Sequence, residues 1–70
     1  MYSGWFDDSR KPVANKIQDA IDAYVERFGY RPAVVLVSTA DKAAAGVERV
    51  DGVPLRVESY IRKNNFWAGA

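Results

Sequence analysis

The sequence predicts a single small α+β domain spanning residues 1–70. A sheet of three to four strands carries one main amphipathic helix on one face, in the order β-α-β-β-β. Three observations carry this reading. Residues 12–28 hold one apolar stripe at helical spacing. Ala33-Val34-Val35-Leu36-Val37 is apolar on both faces that a strand presents. Asp51-Gly52 sits between two β-prone runs.

Taken in order, Tyr2 to Phe6 is apolar and aromatic around Gly4 and reads as a short strand, weakened by the glycine. Asp7-Asp8-Ser9 then introduces a helix. Ser9 or Asp8 is positioned to accept from the first free amides, and the acids suit the positive end of the helix dipole. Pro12 fits a first turn, where its missing N–H would be unbonded anyway. Val13, Ile17, Ala20, Ile21, Tyr24, Val25 and Phe28 recur every three or four residues and form one stripe. Gly29 supplies a left-handed stop, and Tyr30 falls where a residue folds back on the last turn, onto Val25.

Arg31-Pro32 is extended, because proline moves its predecessor out of the helical region. The strand Ala33 to Ser38 follows and completes a βαβ unit if Tyr2 to Phe6 is a strand. Ser38-Thr39-Ala40-Asp41 has the form of a helix cap; residues 41–45 fit either one or two helical turns or a loop. Asp-Gly is a strong two-residue hairpin signal, since both turn positions accept positive φ. Beyond it Val53, Leu55, Val57 and Ile61 share one face and Pro54, Arg56, Glu58 and Tyr60 the other. Pro54 points to an edge or a strand start. Simple pairing across the turn sets Glu48 opposite Leu55, so the register stays open. Asn64-Asn65 reads as a turn before Phe66-Trp67, an aromatic pair that matches Trp5-Phe6 and is expected to pack against it. The expected core is Val13, Ile17, Ile21, Val25, Phe28, Val35, Val37, Leu55 and Val57.

Composition narrows function more by exclusion than by motif. The 70 residues contain no Cys and no His, which removes disulfides and the usual zinc, haem and iron–sulfur ligand sets. No cofactor or metal site is expected. A core this small yields roughly 3–5 kcal/mol net, so association with a partner is an available aid. The net charge of +1 gives no global field toward nucleic acid or an anionic membrane. No run of eighteen apolar residues exists, and no membrane partner is expected. Met1-Tyr2-Ser3-Gly4-Trp5 lacks the basic start and apolar stretch of a signal peptide, and a cytoplasmic location is expected.

Each candidate for chemistry has an ordinary reading. Asp7-Asp8 could divide acid and base roles or hold Mg²⁺, but suits a helix start. Asp19, Asp22 and Glu26 make an acidic strip that fits a solvated helix face. The five glycines form no phosphate loop, and no serine has a histidine to activate it. The expectation is therefore a non-enzymatic interaction module. It acts as a homodimer or a subunit of a larger assembly through Val34 and Leu36, the apolar second face of the inner strand. One alternative is nucleic-acid binding through Tyr60, Arg62, Lys63, Phe66 and Trp67, where cations would track phosphates and rings stack on bases. An enzyme without a recognisable motif is the other. Helix, buried strand and hairpin in this order occur in too many folds to point to a family.

Overall fold

The computed structural model describes residues 1–70. The chain runs β1 (Tyr2–Phe6), α1 (Val13–Phe28), β2 (Val34–Val37), α2 (Thr39–Ala45), β3 (Arg49–Val50), β4 (Val53–Val57) and β5 (Asn65–Gly69). The class is α+β, as expected. The sheet is mixed and has five strands, in the spatial order β1-β5-β2-β4-β3. It is thus wider than the three to four strands expected, and a second helix is present.

The last strand enters the middle. β5 runs antiparallel to β1 on one side and to β2 on the other. β1 and β2 are therefore parallel and joined through α1, but β5 separates them, so the βαβ unit is split. β4 lies parallel to β2 and β3 closes the far edge antiparallel to β4. The aromatic termini do meet: Trp5 stands opposite Phe66 and Gly4 opposite Trp67.

The start of α1 corrects the expected cap. Pro12 occupies the cap position with φ −53° and no side chain bonds the first amides. Asp7 instead accepts from the Ser9 N–H at 2.8 Å, and the Ser9 hydroxyl from the Lys11 N–H at 3.4 Å. These residues shape the turn before the helix. At the other end Gly29 adopts φ 78° and donates its N–H to the Val25 carbonyl at 2.7 Å. Tyr30 folds back edge-on to Tyr24, with ring centroids 5.6 Å apart, and also packs on Phe28.

Ser38 caps α2 by accepting from the Asp41 N–H, and Gly46 ends the helix at φ 67°. The hairpin turn has φ 53° at Asp51 and 77° at Gly52, the positive pair that a tight two-residue turn requires. Its register is the simple one, with Val50 opposite Val53 and the Leu55 N–H bonded to the Glu48 carbonyl. The Glu48 side chain is no burden on Leu55, because it is exposed and pairs with Lys42. β4 is not an edge strand. Since Leu55 turns its N–H to β3, Pro54 turns its bare nitrogen toward β2, one residue before the first β2–β4 rung at Val35 and Leu55.

The core lies between α1 and one sheet face. Ile17, Ala20, Ile21 and Tyr24 meet Val35, Val37, Val50, Val53, Phe66 and Ala68, with Val13, Val25, Phe28, Leu55 and Ala45 at the margin. Ala45 places α2 on this same side. Two expectations fail for one reason. Val57 is 41% exposed, and Ile61 is not on its face, because β4 ends at Val57 and the chain leaves the sheet.

Asp51 ties the hairpin to the rest of the fold. It accepts from Gln18 and from Arg31, each at 3.1 Å, and Arg31 also donates to its backbone carbonyl. The Gln18 bond first, then Arg31, holds its carboxyl below the ordinary 3.8. A carboxyl with a lowered folded-state pKa stabilises fully above the unfolded value, and the gain disappears as pH falls through the folded one. Asp51→Asn is therefore expected to flatten the acid side of the stability curve, read as urea midpoints from neutral pH downward. Parallel curves for variant and wild type would contradict this.

Candidate functional site

Strand alternation decides which side chains leave the core. Tyr2, Gly4 and Phe6 on β1, Asn65, Trp67 and Gly69 on β5, Val34 and Leu36 on β2, Pro54 and Arg56 on β4, and Arg49 on β3 share the face that carries no helix. This open face is built around two cross-strand pairs of an aromatic with a glycine. A Cβ at Gly4 would lie 3.2–3.3 Å from three atoms of the Trp67 six-membered ring. A Cβ at Gly69 would collide with the Tyr2 ring. Each glycine thus lets a ring lie flat across the neighbouring strand. The outer ring surfaces stay accessible: Tyr2 is 40% and Trp67 39% exposed.

The loop after β4 brings Tyr60 and Ile61 over the same face, while its last residue, Asn64, bonds Asp41 and Lys16 on the helix side. It is pinned by the Glu58 N–H to the Val37 carbonyl and by the Ile61 N–H to the Glu58 carbonyl. Tyr2, Leu36, Tyr60, Ile61 and Trp67 line a groove of ≈ 290 Å³, and all five side chains are hydrophobic. Leu36 and Ile61 form its buried floor, while Tyr60 is 68% exposed at its rim.

Charge is divided between the two sides of the sheet. The open face and its loop carry Arg49, Arg56, Arg62 and Lys63 against one acid, Glu58. Glu58 pairs with Arg56 at 2.8 Å; Arg49, Arg62 and Lys63 have no carboxylate partner. The rest of the chain holds eight acids against six cations, so the net +1 conceals an uneven distribution of charge.

The sequence-derived candidates separate accordingly. Val34 is half-buried, and Leu36 is covered within the chain by the groove walls. Tyr60 and Trp67 come to the open side, and Arg62 and Lys63 are exposed on the loop that follows Tyr60. Phe66 does not: it is fully buried against α1, one residue and therefore one face away from Trp67. Sequence reasoning missed Tyr2, Phe6, Arg49 and Arg56, which reach this face only through strand pairing. Two of the three acids of the strip are engaged elsewhere, Asp19 with Lys11 at 2.8 Å and Asp22 with Gln18 at 2.9 Å, and Glu26 is exposed. Ala14, Asn15, Gln18, Asp19 and Val50 line a second depression between α1 and the hairpin. No helix is long and apolar enough to cross a membrane. No family model matches the chain, and neither a curated protein nor a solved structure matches it.

Proposed function

We propose that this chain is a non-catalytic binding module that takes single-stranded nucleic acid on the open face of its sheet. The observation that carries the proposal is the pair of flat, accessible rings of Trp67 and Tyr2 on a face and adjoining loop whose Arg49, Arg62 and Lys63 have no carboxylate partner. Single strands bind where aromatic faces stack on bases and cations follow the phosphates. A four-stranded sheet whose exposed rings stack two or three bases is one known support for this chemistry. Tyr60 extends the aromatic surface, and Arg62 and Lys63 follow it directly along the loop.

Tryptophan fluorescence titrated with single-stranded oligonucleotides at low salt tests the proposal. Stacking contributes about 1–3 kcal/mol per base, so Trp67→Ala is expected to weaken binding by about 5- to 150-fold. Replacing Arg62 and Lys63 together by Ala is expected to reduce the salt slope by about 0.7 for each lost phosphate contact. Absence of any fluorescence change at low salt overturns the reading.

A second reading, a protein partner on the same face, has one observation in its favour: every residue lining the groove is hydrophobic. Exposed apolar surface of this kind also serves protein contacts. Such a partner would hold through added salt, whereas the nucleic-acid complex would dissociate.

A further inference from the structure

The two edges of the sheet differ in kind. β3 has two residues, Arg49 and Val50, flanked by Glu48 and Asp51. A short, charged edge is the usual protection against pairing with another chain. β1 has five residues, Tyr2-Ser3-Gly4-Trp5-Phe6, with no charge, no proline and no residue at positive φ.

Backbone polarity fixes what this edge offers. The Asp7 N–H bonds to the Asn64 carbonyl at 3.0 Å and the Ala70 N–H to the Met1 carbonyl at 3.2 Å. The odd-numbered residues therefore bond to β5. Tyr2, Gly4 and Phe6 turn their N–H and C=O groups away from the sheet. Three donors and three acceptors stand in a row on a strand whose side chains are largely exposed.

We propose that this edge pairs with the β1 edge of a second copy of the chain, antiparallel about a twofold axis through Gly4. Tyr2 of one copy then stands opposite Phe6 of the other, and Gly4 opposite Gly4. This register pairs all three outward-turned residues of each copy and closes after one contact, as an isologous interface does. It brings no two like charges together, because the strand has none. Tyr2 and Phe6, 40% and 62% exposed, meet on the open face, and Ser3 meets Trp5 on the helix side. The product is a continuous ten-stranded sheet. Its two aromatic faces adjoin, which doubles the length of the surface described above. The edge geometry alone supports the pairing, so it stands or falls separately from nucleic-acid binding.

Sedimentation of the whole chain without nucleic acid tests it, and a concentration-dependent dimer is expected. Phe6→Pro removes an outward N–H while leaving every bond to β5, since proline is tolerated where an edge N–H faces solvent. It is expected to give a monomer with unchanged circular dichroism. A second measurement covers the case in which this variant folds poorly. In a hydrogen-bonded antiparallel pair opposed Cα atoms lie about 5.5 Å apart, within disulfide reach. The double variant Tyr2→Cys, Phe6→Cys, in a chain with no other cysteine, is expected to oxidise to a covalent dimer, and either single variant is not. A wild-type chain that stays monomeric at its highest soluble concentration overturns the proposal. So does a folded Phe6→Pro chain that dimerises like wild type, or single-cysteine variants that cross-link as well as the double.

Discussion

Phe66→Ala is expected to unfold the domain, while Trp67→Ala leaves it folded. The two residues are adjacent, aromatic and on the same strand, yet they face opposite environments. Phe66 is fully buried on β5, which is hydrogen-bonded on both sides, and packs among residues of α1 and β2. Truncating a buried Phe removes its transfer free energy and leaves a cavity, at a cost of about 3–5 kcal/mol. That range equals roughly the whole net stability of a core this size. Trp67 is 39% exposed and loses mainly the contact with Gly4 and the groove floor, a loss of about 2–3 kcal/mol, below that at Phe66. Circular dichroism with urea titration separates the two variants. A cooperative transition for Phe66→Ala near the wild-type midpoint would show that β5 is not central to the core. A folded Trp67→Ala chain is also what makes its oligonucleotide affinity interpretable.

The contrast between these neighbours marks where the sequence was legible. Local signals read well. The stripe from Val13 to Phe28, the left-handed stop at Gly29, the Ser38 cap and the Asp51-Gly52 turn each depend on residues within a few positions of one another, and each forms. What depends on pairing between distant segments did not read. β5 begins at the second of two asparagines and ends in Ala68-Gly69, so neither alternation nor β-branching announces it. Yet it fills the middle of the sheet. Its Gly69 leaves the space across which the Tyr2 ring lies, and Ala68 packs in the core on the other face.

The same non-local pairing answers the problem posed by β2. Its second apolar face implied a missing cover. Much of that cover comes from within the chain: Trp67 stands beside Leu36 on β5, and Ile61 and Tyr60 arrive on the following loop. The sequence singled out the basic and aromatic segment as a unit, and strand alternation splits it. Trp67 goes to the open face and Phe66 to the core, and Tyr2, sixty-five residues away in sequence from Trp67, completes the aromatic surface.

Asp41→Ala is expected to cost about 1–3 kcal/mol, the second large effect. Asp41 sits in the first turn of α2, where its N–H is held by Ser38, and is 1% exposed. Its Oδ2 accepts from the Asn64 N–H at 2.6 Å. Asn64 has φ 69°, a left-handed conformation uncommon for a residue with a side chain, and it leads directly into β5. The Asn64 side chain in turn accepts from the buried Lys16 ammonium at 3.2 Å. One carboxylate therefore links α2 to the entry of the central strand, and Asn64 links that entry to α1. Alanine would leave the Asn64 N–H without its acceptor where the backbone is already in an unfavourable conformation.

The other carboxylate oxygen, Oδ1, has no partner, and this sets a competing effect. Burying a half-satisfied carboxylate is costly, so removing it returns part of the loss. The two effects separate in Asp41→Asn, which retains an acceptor for Asn64 and discards the charge. The expected order of stability is wild type or Asn highest, with Ala clearly below both, measured as urea midpoints. If Ala equals wild type, desolvation of the carboxylate outweighs the bond, and the turn at Asn64 is held by its flanking strand rather than by Asp41. If Asn falls as far as Ala, the link depends on the negative charge itself.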